Sequence, residues 1–144
     1  MTTAHPSNYT KGRTQKIEFL VLHYTAGRND SAAGNLRYFE SPRGASAHYF
    51  VDRKGWLQSV DDGDTAWSVG TAGVYQQKHP RCRNGNSISI EMCCRYQDGV
   101  SPVPFKESSF SFVISITSMT SRLKLCHARS SVTHIAGQHL LTTS

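Results

Sequence analysis

No apolar run in this 144-residue chain approaches the roughly 20 residues needed to cross a bilayer, and the first stretch, MTTAHPSNYTKGR, lacks the apolar centre of an export signal. Both absences lead us to expect a protein that stays off the membrane and is cytoplasmic until it is released. Cysteine is sparse: Cys82, Cys93, Cys94 and Cys126 match no paired C-x-x-C zinc module. Adjacent Cys93 and Cys94 would point to opposite faces of a strand, so free thiols, one or two of them buried, are expected rather than a disulfide framework. Acidic residues are missing from one whole end. All ten lie between Glu18 and Glu107, so residues 108–144 contain none, while Arg122, Lys124 and Arg129 stay. The net charge of +6 therefore splits into +3 before that boundary (13 basic minus 10 acidic) and +3 after it (3 minus 0). No basic stripe with interleaved aromatics accompanies it, which argues against nucleic acid as the partner.

What is present is one domain's worth of patterned sequence. Residues 1–15 are polar, carry Pro6, Asn8 and Gly12, and read as an arm. IEFLVL at 17–22 is a short β-branched run suited to a strand buried on both faces. Asn29, Asp30 and Ser31 can accept from the free amides of a helix start, and Ala32 or Ala33, Leu36 and Phe39 recur at helical spacing until Ser41-Pro42. YFV at 49–51 and WLQSV at 56–60 flank a turn in which Gly55 supplies a positive φ, a hairpin. The stretch 61–86 is irregular and reads as a contact-bearing surface loop. ISIEM at 88–92 is a further strand, with Ser89 and Glu91 turned away from the face of Ile88, Ile90 and Met92.

Two residues stand where chemistry is expected. His23 follows the buried strand, at the end where open α/β sheets present ligands; Glu91 is a strand carboxylate. Neither means much alone. Together with their surroundings, however, IEFLVLHYTA (17–26), GASAHYFVDRKG (44–55), DTAWSVG (64–70) and NSISIEMC (86–93) resemble, in order and spacing, the zinc-dependent N-acetylmuramoyl-L-alanine amidases of the phage endolysin, autolysin and peptidoglycan-recognition type. The resemblance covers about residues 16–95. It implies an α/β fold, a mixed central β-sheet flanked by helices, and hydrolysis of the amide between N-acetylmuramic acid and L-alanine. It also implies Zn²⁺ as cofactor, peptidoglycan (a muropeptide) as partner, and a monomer. Carried over residue by residue, His23 becomes a metal ligand and Glu91 the catalytic proton acceptor. His48, Trp67 and Asn86 become candidates for substrate binding, although His48 also suits a structural role, Trp67 a packing role and Asn86 the turn before its strand. Where relatives usually carry a histidine, this chain has Ser68.

Residues 108–144 depart from the pattern. The family places an amphipathic helix and two more zinc ligands there, whereas SSFSFVISITSMTS alternates at nearly period 2. Only His134 lies near the expected ligand spacing, with no Cys or Asp after it. Two readings stay open: a variant in which His134 and His139 complete the site, or a shifted reading frame after Glu107. For the second, Cys126–Thr133 can be encoded so that an adjacent frame reads Pro-Arg-Glu-Val-Val-Arg-His. The chain is accordingly divided into an arm (1–15), an amidase-like part (16–107) and an atypical tail (108–144). The rival functional reading is a peptidoglycan-binding module without catalysis.

Overall fold

A computed structural model of the chain describes residues 1–25, 30–69, 80–93 and 124–127, the last four by their backbone. Its centre is a five-stranded mixed sheet. The strands are β2 (Phe19–Tyr24), β3 (Tyr49–Asp52), β4 (Gly55–Gln58), β6 (Ser87–Met92) and β7 (Lys124–His127), in the order β4-β3-β6-β2-β7. β3 and β4 are antiparallel; β3, β6, β2 and β7 run parallel to one another. The helix α1 (Ala32–Phe39) links β2 to β3, and a separate two-stranded ribbon joins β1 (Tyr9–Thr10) to β5 (Thr65–Ala66). The expected α/β class and mixed sheet are present.

Strand alternation sorts the side chains onto two faces. Leu20, Leu22, Tyr49, Val51, Ile88 and Ile90 form the cluster on one face, joined by Ile17 and Met92. The opposite face carries Phe19 and Val21, packed with Val69 and Cys82, and Phe50, packed with Ala32, Phe39, Ala47 and Cys93. α1 lies on this second face through Phe39, whose ring stacks on Phe50 with centroids 5.4 Å apart. The helix starts where the sequence indicated: Ser31 Oγ accepts from Gly34 N at 3.1 Å. Asp52, at the end of β3, accepts from Ala32 N at 3.0 Å, so strand and helix share a cap. The β3–β4 hairpin closes with Gly55 at φ 143°, a conformation that side chains other than glycine strongly disfavour.

Four expectations change. The buried strand runs Phe19–Tyr24 rather than 17–22, so His23 lies within it instead of after it. The parallel ladder with β6 decides this, because it continues through His23↔Glu91 and Tyr24↔Met92. Residues 1–15 are not an arm. Ala4 is buried against Val60 and Ala66, and the wholly buried Asn8 side chain donates to Phe39 O and Ser41 O (both 2.8 Å) and accepts from Arg43 N (2.6 Å) and Gly44 N (3.0 Å). A polar sequence hid this because one asparagine satisfies four backbone groups that no hydrophobic periodicity signals. The 61–86 stretch holds β5 and a 3-10 turn at Asn84–Asn86. Finally, residues 124–127 form β7, an edge strand of the main sheet beside β2. Among the described residues Cys82 and Cys93 are buried.

Candidate active site

Register places the two principal residues together. His23 on β2 and Glu91 on β6 are direct partners in the parallel ladder, so both side chains leave the same face. Nδ1 of His23 lies 3.9 Å from Oε1 of Glu91. Glu91, on the face turned away from Ile88, Ile90 and Met92, is 0% exposed, and His23 is 1% exposed. The reason is positional, since β6 is flanked by β3 and β2 and α1 overlies that face.

Burial sets the protonation states. It lowers the pKa of His23 to about 4 and, with the nearby charge of Asp30 adding to it, raises that of Glu91 to about 8. Both shifts favour neutral forms at pH 7, so the 3.9 Å contact is a juxtaposition of neutral groups rather than an ion pair. Among the described residues neither carboxylate oxygen of Glu91 has a hydrogen-bond partner. Buried polar atoms left this way are costly. A cation with its bound water would satisfy them, and a neutral imidazole is the form that binds metal. The residues present therefore fit a zinc ion at this place. No group of three or more His, Cys, Asp or Glu that could hold a metal occurs among the described residues. His134, the other expected ligand, and His139 lie outside them.

The three expected substrate contacts each have partners of their own. His48, just before β3, is wholly buried. Its Nε2 faces Arg13 Nη2 at 2.6 Å, and its Nδ1 faces Ser89 Oγ at 3.1 Å and Ser89 N at 3.0 Å. With the Ser89 amide donating to Nδ1, the neutral ring carries its hydrogen on Nε2, which faces Asp64 O at 3.4 Å beside the Arg13 guanidinium, and burial together with the Arg13 charge drives its pKa down to about 3. His48 thus fastens the start of β3 to β6 through Ser89. Asn86 is also buried and internally satisfied, donating to Arg81 O at 2.9 Å and accepting from Arg83 N at 2.7 Å; it builds the turn before β6. Trp67 keeps part of its side chain at the surface, with Nε1 donating to Thr10 Oγ1 at 2.9 Å.

Sequence reasoning missed two groups. Arg13, in the supposed arm, donates to Asp62 O (2.6 Å), Gly85 O (3.1 Å) and Ser87 O (3.0 Å) besides facing His48. No local pattern marks it. Asp30 was read as a helix-start acceptor, yet Ser31 takes that place, and the Asp30 carboxylate accepts from the side chains of Thr25 and Asn35.

The chain is similar to known proteins in sequence and in fold. The family model described as N-acetylmuramoyl-L-alanine amidase matches residues 13–138. The N-acetylmuramoyl-L-alanine amidase CwlL of Bacillus licheniformis is 32% identical over 91 residues, 58% of this chain and 25% of that protein. The present chain thus spans about a quarter of that curated relative's length. In fold it is similar to PlyL (TM-score 0.59, 24% identity, covering 85% of this chain and 76% of PlyL). It is likewise similar to AmpDh3 from Pseudomonas aeruginosa solved in complex with anhydromuramic pentapeptide (TM-score 0.53, 24% identity, 83% and 51%).

Proposed function

Because the chain belongs to the N-acetylmuramoyl-L-alanine amidase family, matched over residues 13–138, we propose that it is a peptidoglycan hydrolase that cleaves the amide between N-acetylmuramic acid and L-alanine. The observation that carries the reading is the buried Glu91 carboxylate, without a partner for either oxygen among the described residues and 3.9 Å from the His23 ring. His23, with His134 as the second expected ligand, would hold zinc. When bound, zinc polarises the scissile carbonyl and acidifies a water molecule.

The protein's own groups then have defined tasks. His23 is kept as the neutral base that can ligate, by burial alone. Glu91 is pushed up to about 8 by burial in the metal-free chain; the charge of a bound zinc would hold it ionised, the form that accepts a proton. Glu91 takes a proton from the attacking water and returns it to the departing L-alanine amine. Its burial keeps bulk water from competing for either oxygen. Trp67, partly open on the β1–β5 side, is the residue of the three we assign to the muropeptide. Among the described residues no helix is long and apolar enough to cross a membrane.

The test uses the zinc-loaded chain and purified cell-wall sacculi. Release of peptides bearing a new L-alanine amino terminus, abolished by Glu91→Gln with zinc binding retained, is the expected result. Sedimentation of the wild-type chain with sacculi without any release would instead identify a peptidoglycan-binding module and overturn the reading.

A further inference from the structure

The segment that follows His23 is tied down by a set of contacts that neither the helix cap nor the core requires. Thr25, two positions after His23, donates its backbone N–H to Met92 O at 3.0 Å, extending the β2–β6 ladder one step past the strand ends. Its hydroxyl donates to one oxygen of the Asp30 carboxylate. The other Asp30 oxygen accepts from the side-chain amide of Asn35, in the second turn of α1. That amide has two hydrogens, and Ser31 O at 3.0 Å receives the other, leaving the 3.4 Å approach to Cys93 Sγ as a contact. Asn35 is 5% exposed and Cys93 7% exposed, so the helix side of this junction is buried, while Thr25 and Asp30 are half-buried. Asp30 is thereby a bridge with one oxygen for the strand end and one for the helix.

The placement matters because the ladder pairs beneath the bridge are Tyr24↔Met92 and then His23↔Glu91. Helix capping does not explain Asp30: Ser31 Oγ and Asp52 Oδ2 already accept from Gly34 N and Ala32 N. We infer that Asp30 is a positioning residue, which through Thr25 and Asn35 locks the end of β2 to α1 and so fixes the His23 ring opposite Glu91 for metal binding. The inference rests on the proposed zinc role of His23. Partners that orient a metal ligand without touching the metal commonly change affinity about 10- to 100-fold when removed.

Two replacements separate the bridge from bulk folding. Asp30→Ala removes both acceptors, and Thr25→Val removes the hydroxyl while keeping the side-chain shape; Thr25→Ser keeps the hydroxyl and serves as the conservative rescue. Zinc affinity of the metal-free full chain is measured by competition with a chromogenic chelator. Amide hydrogen exchange at Thr25, whose N–H is bonded to Met92 O, is followed in parallel. The expected result is zinc affinity weaker by about 10- to 100-fold in Asp30→Ala and Thr25→Val, near wild type in Thr25→Ser, with faster exchange at Thr25 in the first two. Unchanged zinc affinity in Asp30→Ala, in a wild-type chain that binds zinc through His23, overturns the inference and leaves the proposed function standing. If wild type and His23→Ala bind zinc equally poorly, the metal role of His23 falls instead. The bridge is then judged on exchange alone: unchanged exchange at Thr25 in Asp30→Ala overturns it as well, and faster exchange upholds the lock on β2.

Discussion

The neutral state of His48 makes acid stability a quantitative test of the buried hydrogen-bond network. The Ser89 amide donates to Nδ1 and the Arg13 guanidinium lies beside Nε2, so protonation would displace the Ser89 donor and set a second cation beside Arg13 in a site with no exposure. Its folded-state pKa of about 3 lies below the ordinary 6.5. For a depressed value the sign is fixed: the stability is fully present above 6.5 and is lost as pH falls toward 3, because only the unfolded chain takes up the proton. Each pH unit in that window is worth about 1.4 kcal/mol, so moving from pH 6.5 to 5 removes about 2 kcal/mol. The perturbation is His48→Asn, measured by urea unfolding against wild type at pH 7.5 and pH 5. Contributions from His23 and the carboxylates are common to both proteins and cancel in the difference. At pH 7.5 the variant is less stable by about 3 kcal/mol, from the emptied space and the lost hydrogen bond of the Ser89 amide. At pH 5 the gap narrows to about 1 kcal/mol, since the wild type alone has lost the His48 contribution. A gap of the same size at both pH values would refute the reasoning, as it would mean that His48 takes up its proton equally in the folded and unfolded chains.

Asn8→Ala leaves two carbonyls and two amides around residues 39–44 without their partner, and at about 1 kcal/mol each this costs about 4 kcal/mol in urea unfolding; a loss below about 1 kcal/mol would show the N-terminal segment to be loosely attached. Phe50→Ala removes the ring stacked on Phe39 between β3 and α1 and costs about 3–5 kcal/mol, read as a lowered urea midpoint with the slope unchanged. Zinc at about 100 times its dissociation constant stabilises the chain by about 2.7 kcal/mol; thermal unfolding with zinc and with a chelator measures this, and His23→Ala abolishes the difference.

The elements legible in the sequence are those with a local physical signature. The β-branched run at 17–22, the Ser31 cap, the Gly55 turn and the alternation at 88–92 each fix backbone over a few residues, and each lies within two residues of the observed element. The pairing of His23 with Glu91 was accessible only through the resemblance, because 68 positions of chain separate them and the register between two parallel strands is set by the whole sheet. Burial of Glu91 was hidden for the same reason. Alternation shows which face a side chain takes, and says nothing of whether a helix covers that face. Arg13 and Asn8 were illegible for a different cause: their work is hydrogen bonding to backbone carbonyls and amides, which any sequence supplies, so no partner residue marks them.

This contrast bears on the C-terminal part. A period-2 pattern is foreign to the helix that the resemblance placed there, and it suits a strand. The alternating stretch 108–121 lies outside the described residues; Lys124–His127, just beyond it, is a strand parallel to β2 and in register from Phe19↔Lys124 to Leu22↔His127. β7 hydrogen-bonds to the edge of β2 opposite the one that β6 occupies. The family match running on to residue 138 places the same segment within the domain. Register then carries a functional consequence. His127 pairs with Leu22, one step before His23, so the chain leaving β7 sets out beside the end of β2 that holds the candidate metal ligand. His134 follows seven positions later, a span that at about 3.3 Å per residue could reach about 23 Å. Length therefore does not prevent this tail from returning a histidine to His23, and the decisive quantity is the zinc affinity of His134→Ala relative to His139→Ala. A loss in the first alone assigns the second ligand to His134; no loss in either removes the tail from the metal site.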